Sequence, residues 1–219
     1  MTDLRGLSAM VVRIPSSAMI LTAAMHSELT RPAGDAIERF RHGDLNALDV
    51  ILPQYRVRLY RFLLRMVGEP ALAEDLFQQT WVRVIEKISS YNARYNFDSW
   101  LFAIARNLAI DHLRRKRGFS LDVRDEQGEA PVERMAMPGP DPLKEVLDFE
   151  RGSILATALG ELPAIHREVL VLRFEEEMKL EQIAEVAGVP LSTVKSRLHR
   201  ALAGLRRRVA EQLSMGGNK

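Results

Sequence analysis

The chain has 219 residues, a formal net charge of +2, 47% hydrophobic residues and 6% aromatic residues. That length allows one large domain or two small ones, and the abundance of Leu, Ala, Arg and Glu points to helices rather than sheets. The absence of cysteine excludes disulfides, thiolate metal sites and a cysteine nucleophile, and it fits a reducing cytosol.

The N-terminal stretch "AMVVRIPSSAMILTAAM" is mildly apolar but is interrupted by Arg13 and Pro15. It lacks the length of a membrane span and reads as neither anchor nor signal peptide. Residues 1–30 are expected to be a disordered extension, with Met19 and Met25 as alternative starts to Met1.

From Asp35 to Arg117 the pattern is helical. Ile37, Phe40, Leu45, Leu48, Ile51 and Leu52 recur at spacings of three and four. Gly68, Glu69 and Pro70 mark a turn. "ALAEDLFQQTWVRVIEKISSY" reads as a second helix, with acids early and Lys87 late, as the helix dipole prefers. "NARYNFDS" reads as a polar loop carrying aromatics. "WLFAIARNLAIDHLRRKRG" reads as a further helix that ends in a basic run and Gly118.

Residues 118–148 then change character, with Pro131, Pro138, Pro140 and Pro142. Nine acids against three bases over 118–150 make this a linker. Helical periodicity returns near Leu147, and a second helical unit is expected over 149–213. The fold class expected is therefore all-α, with two small helical domains joined by a flexible linker.

The most informative stretch is "GVPLSTVKSRLHRALAGLRRRV". On a helical wheel, Val194, Leu198, Ala201, Leu202, Leu205 and Val209 share one face. Ser192, Ser196, His199, Arg200 and Arg207 lie opposite, flanked by Lys195, Arg197, Arg206 and Arg208. Alone, this fits an amphipathic helix with a solvated basic face as well as it fits a DNA reader. The preceding "LEQIAEVAG" tips the balance. It is a short helix with Ile183, Ala184 and Val186 turned inward. Gly188 closes it, because a residue without a Cβ takes a left-handed cap cheaply. Ser192 or Thr193 is expected to cap the next helix. Two helices joined by a tight Gly-containing turn form a helix-turn-helix, and small Ala184 permits the close crossing. Such a unit presents the start of its second helix to the major groove, where Arg and Lys can bond guanine edges.

"LGELPAIHREVLVLRFEEEMKLEQIAEVAGVPLSTVKSRLHRALAGLRRRV" resembles region 4 of bacterial RNA polymerase sigma factors of the extracytoplasmic-function (ECF) type. "AEDLFQQTWVRVIEKI" resembles the polymerase-binding helix of their region 2, and "FDSWLFAIARNLAIDHLRRKR" its promoter-melting, −10-reading segment. The resemblance covers roughly residues 35–213, with 35–117 as region 2 and 149–213 as region 4. It implies a cytoplasmic protein, not inserted in a membrane, that binds core RNA polymerase, directs it to promoters and helps open the duplex.

The resemblance also implies contacts. Asp75, Gln78 and Trp81 fall on the motif that docks on a coiled coil of the largest polymerase subunit, although Trp81 fits a core position equally well. Region 4 is expected to meet the flap of the second-largest subunit. The loop "YNARYNFDSW" corresponds to the segment that holds an unstacked −10 base. Tyr91, Tyr95, Phe97 and Trp100 offer stacking surfaces there, and Asn92, Asn96 and Asp98 offer hydrogen bonds. Packing is the stronger reading for Phe97 and Trp100. Asn107 aligns with a base-contacting position, and Asp111 stands where some relatives carry Asn. Arg106 and Arg114, with Arg115, Lys116 and Arg117, are placed to hold phosphates. The −35 contacts map to Ser192, Thr193, Lys195, Ser196, Arg197, His199 and Arg200, and His199 is the candidate for promoter specificity. In the turn "EEEMK", Lys179 stands at the usual capping place, which should weaken that cap. An anti-sigma factor is a further partner of many relatives.

As a coil, a linker of this length typically spans about 30 Å and stretches to about 110 Å. The −35 and −10 elements lie about 70 Å apart, so polymerase is expected to supply the geometry that holds both modules in place. The rival reading is a stand-alone helix-turn-helix regulator, which leaves the first unit unexplained. An enzyme is not expected. The five histidines, His26, His42, His112, His166 and His199, have no metal-ligand spacing, no phosphate loop or nucleophile motif appears, and no cofactor is implied.

Overall fold

The computed structural model describes residues 34–117 and 152–216. The expected N-terminal extension, the linker and the return of periodicity near Leu147 lie outside the described residues.

Helix α1 (Gly34–Arg41) ends ahead of Gly43, which takes φ of 95°. Asp44 then starts a single 3-10 turn, Leu45–Ala47, by accepting from the Asn46 backbone N–H at 3.0 Å. That turn runs into α2 (Leu48–Val67). The break resets the helical phase, so Leu45, expected inward, is 40% exposed while Ala47 and Leu48 turn into the core.

Gly68, at φ of 75°, closes α2 by donating to the Leu64 carbonyl at 2.8 Å, and Pro70 occupies the first turn of α3 (Pro70–Lys87). Helix α4 (Phe97–Arg117) begins earlier than the expected Trp100. The side-chain oxygen of Asn96 accepts from the Asp98 N–H at 2.8 Å, which caps the helix one residue before Phe97.

The second unit comprises α5 (Gly152–Gly160), α6 (Ala164–Leu170), α7 (Leu180–Ala187) and α8 (Leu191–Gly216). A wider π turn, Val171–Glu175, extends α6. Gly188 ends α7 at φ of 65°, and its N–H bonds the Ala184 carbonyl. Helix α8 starts at Leu191, directly after Pro190, so Ser192 and Thr193 lie inside its first turn instead of preceding it as caps. The Pro190 carbonyl accepts the Val194 N–H at 3.1 Å. At the start of α7, the Gln182 side chain accepts from the Lys179 N–H at 2.9 Å. A lysine side chain has no acceptor with which to return that bond, so the cap keeps one of its two halves.

Within the first unit α3 packs on α2 and α4, and within the second α8 packs on α5, α6 and α7. The units also pack on each other. Helix α4 lies against α7, and α2 touches α5, α6 and the π turn. Buried side chains of both units, among them Phe62, Phe102, Leu172 and Ile183, belong to one contiguous core. No strand occurs among the described residues, and none of their helices is long and apolar enough to cross a membrane.

Arginines fasten the contact between units. Arg167, 5% exposed, donates to the carbonyls of Arg65 (3.1 Å) and Met66 (2.7 Å) at the end of α2, and to Gly160 and Leu162 (both 3.0 Å). Helix ends leave their last carbonyls without helical partners, and a buried guanidinium answers four carbonyls at once. Arg58 pairs with Glu176 at 2.8 Å and Asp98 at 3.2 Å, and Arg65 pairs with Glu175 at 2.9 Å.

Candidate nucleic-acid and polymerase interface

The helix-turn-helix is built by α7 and α8. Val194, Ala201, Leu205 and Val209 are buried, with Leu198 and Leu202 packed against the core. This is the inward face of the wheel. Ser192, Lys195, His199 and Arg200 are exposed near the start of α8. Thr193 and Ser196 are half-buried, and the Ser196 hydroxyl donates to the Thr193 carbonyl at 3.0 Å. The outer face therefore offers small hydroxyls, one imidazole and several cations, a mixture suited to groove edges and phosphates. Arg197 differs. It is half-buried, and its Nη1 is buried without a hydrogen-bond partner.

On α3, Asp75 is exposed and Gln78 half-buried, three positions apart on one face. Gln78 makes only a long bond of 3.5 Å to Glu74. Trp81 is 3% exposed and packs edge-on against Phe77. That place supports the helix from within instead of offering a side chain to a partner, which resolves its two readings toward the core.

The loop before α4 divides its aromatics. Tyr91 and Phe97 are buried, and their rings meet each other and Trp100 at 5.0–5.7 Å. Tyr91 donates to the Tyr95 carbonyl at 2.6 Å, so its hydroxyl fixes the loop. Trp100 is half-buried, and Tyr95 is 59% exposed. The polar side chains also work locally. Asn92 accepts from the Arg94 N–H at 3.0 Å, Asn96 caps α4, and Asp98 accepts from Tyr55 and Arg58. The loop is thus preorganised, with Tyr95 as its solvent-facing ring.

Along α4, Asn107, Asp111 and Arg114 are exposed. Arg106 is not free. Its Nε lies 3.0 Å from Glu168 of α6, and its Nη1 bonds Asn107 at 3.1 Å. Glu168 is fully buried. Burial pushes its carboxyl above the ordinary range, while the charges of Arg106 and Arg197 pull it down. Glu176 behaves alike, raised by burial and opposed by Arg58.

Sequence reading did not single out Arg58, Arg65, Arg167 or Glu168. "HREVL" shows a charged pair inside an apolar run, the sign that Arg167 and Glu168 are buried. No group of acids and histidines able to hold a metal occurs among the described residues.

Comparison with known proteins agrees with this geometry. Residues 52–119 match the model of sigma-70 region 2, and residues 158–207 match that of sigma-70 region 4. The ECF RNA polymerase sigma factor SigW of Bacillus subtilis is 31% identical over 178 residues, covering 80% of this chain and 95% of SigW. The RNA polymerase sigma factor CarQ of Myxococcus xanthus is 34% identical over 175 residues, covering 80% and 96%. Among solved structures, the sigma factor RpoE of Bartonella quintana, crystallised with the anti-sigma factor NepR, is 28% identical with a TM-score of 0.53, covering 75% of this chain and 95% of that one. CnrH, in complex with the cytosolic domain of CnrY, shares the fold at 21% identity and a TM-score of 0.58, covering 84% and 98%. With its helix-turn-helix behind a region 2 unit, the chain belongs to the ECF RNA polymerase sigma factors.

Proposed function

We infer that this protein works in the cytoplasm as a dissociable subunit of RNA polymerase, bringing core enzyme to promoters and assisting strand opening. The observation that carries this reading is the pairing, in one chain, of a helix-turn-helix with a solvent-facing basic edge and a second helical unit carrying an ordered aromatic loop. A DNA reader alone needs only the first. Promoter opening needs both, because exposed bases require stacking surfaces and polar partners.

In this reading Asp75 and Gln78 dock on the polymerase, and Tyr95, Trp100, Asn107 and Arg114 meet the −10 element. Lys195, Ser196, His199 and Arg200 meet the −35 element. In this reading the chain acts by binding and positioning. Likeness to the Bartonella sigma factor supports an anti-sigma protein as a further partner.

The test is transcription in vitro from fragmented genomic DNA by core polymerase, with and without the protein, with start sites mapped by sequencing. New starts that share two upstream motifs at fixed spacing are expected. Tight DNA binding by the free protein with no new starts would favour a stand-alone regulator.

A further inference from the structure

The loop before α4 turns its free polar groups outward with one sense only. Asn92 Oδ1 accepts from the Arg94 backbone N–H at 3.0 Å, and Asn96 Oδ1 accepts from the Asp98 N–H at 2.8 Å. A backbone N–H can only donate, so each bond fixes which end of the amide is oxygen. Both asparagines are exposed, and their NH2 groups have no partner among the described residues. The guanidinium of exposed Arg94 likewise has none among them.

The acceptors of the same loop are already engaged. The Asn92 carbonyl takes the Tyr95 N–H at 3.0 Å, and the Asn96 carbonyl takes the Trp100 N–H at 3.1 Å. The Tyr95 carbonyl takes the Tyr91 hydroxyl at 2.6 Å. The Asp98 carboxylate, 15% exposed, is held by Tyr55 and Arg58. What remains beside the exposed Tyr95 ring is two amide donors and a guanidinium fork. Of the loop's exposed side chains, only the Tyr95 hydroxyl is an acceptor not already bonded.

Bases differ in what they offer such a site. Guanine carries two adjacent acceptors, O6 and N7, and unpaired cytosine carries O2 and N3. Adenine sets its N6 amino donor beside N7, and unpaired thymine places an N3–H donor between O2 and O4. A donor that faces a donor leaves both unpaired once water is excluded. We propose that this loop selects, at the unstacked −10 position, a base with two adjacent edge acceptors. Arg94, Asn92 and Asn96 are its specificity-determining residues, and Tyr95 is its stacking face. The two asparagines hold the loop with their oxygens and read the base with their nitrogens. This inference rests on the sigma-factor reading.

The experiment uses holoenzyme reconstituted from core polymerase and the full chain, on a promoter located by start-site mapping. Each base of the −10 element is replaced by the other three, and open complexes are measured. Tyr95→Ala identifies the position that the loop reads, as the one whose base preference it removes. There, guanine or cytosine is expected to be favoured about tenfold over adenine and thymine, the discrimination of one good bidentate pair. Which of the two is favoured separates the guanine edge from the cytosine edge. A preference for adenine or thymine, or no position sensitive to Tyr95→Ala, would overturn the proposal. Holoenzyme with the unaltered chain that opens no promoter would count against the sigma-factor reading itself, and the inference would fall with it.

Substitutions then isolate the donors. Asn92→Asp and Asn96→Asp keep the oxygen that holds the backbone and exchange the NH2 for a second acceptor. Each is expected to lower the preference for guanine or cytosine over adenine about threefold or more, with an unchanged melting temperature. Arg94→Ala removes the fork without touching a bond that shapes the loop, and the same loss of preference is expected. Should an aspartate variant fail to fold, Arg94→Ala decides the matter alone. A folded variant that weakens open complexes equally for all four bases would mark a phosphate contact or charge repulsion. That result would overturn the base-reading role of the residue changed.

Discussion

Arg167 donates to the carbonyl of Met66 at 2.7 Å, joining residues 101 positions apart. Its guanidinium reaches three further carbonyls on both sides of the contact between units. Removing it strands several buried acceptors, so Arg167→Ala should destabilise the protein by about 3 kcal/mol. Arg167→Lys should rescue little, because an ammonium cannot spread its donors over four carbonyls. Urea unfolding of the three proteins checks this. A change under about 0.5 kcal/mol would refute it.

Glu177 adopts φ of 54° in the turn before α7. The left-handed region costs a residue with a Cβ about 1–2 kcal/mol, against an entropic cost of about 0.5–1 kcal/mol for glycine. Glu177→Gly should therefore stabilise the protein by up to about 1 kcal/mol, read as a rise in melting temperature. A lower melting temperature would show that the Glu177 side chain stabilises the turn in some other way.

Tyr95 and Phe97 lie two residues apart and differ in kind, one 59% exposed and the other 5%. Phe97→Ala should cost about 3–5 kcal/mol of stability. Tyr95→Ala should leave the melt unchanged but weaken the open promoter complex by about 1–3 kcal/mol, the usual worth of a base stacked on an aromatic ring. Permanganate footprinting of the opened strand measures the second effect, and equal footprints would exclude Tyr95 from the opened strand.

Surface contacts should separate by partner. Asp75→Ala with Gln78→Ala should reduce co-elution with core polymerase without changing the fold. Arg200→Ala should cost about 1–3 kcal/mol at the −35 element if that side chain reads a base. A uniform loss over all sequences would instead mark a phosphate contact.

The pH dependence of stability has a definite sign. Burial raises the carboxyls of both Glu168 and Glu176 above their ordinary value of 4.5. A raised folded value means that the folded state holds its proton more tightly than the unfolded chain does. The stability these groups contribute is thus full below pH 4.5 and is lost as pH rises through their elevated values. Glu168→Gln with Glu176→Gln should flatten that part of the profile in urea titrations across the acid-to-neutral range. An unchanged slope would show that the two groups do not dominate it.

Sequence by itself determined the helical class, the helix-turn-helix and the inward face of α8. These are local or periodic properties. The 3.6-residue repeat marks Val194, Ala201 and Leu205 as one stripe, and Gly188 needs only its own backbone freedom to end α7. Only the tertiary structure decided what the charges do. Nothing in the spacing of Arg106 and Glu168 places them together, because their meeting at 3.0 Å depends on how α4 and α6 pack. The same holds for Trp81 and Tyr91, whose residue types suit a core or a binding surface equally well. A charge or a ring in a sequence has no burial until the fold supplies its neighbours, and burial decides whether it serves the core or a partner.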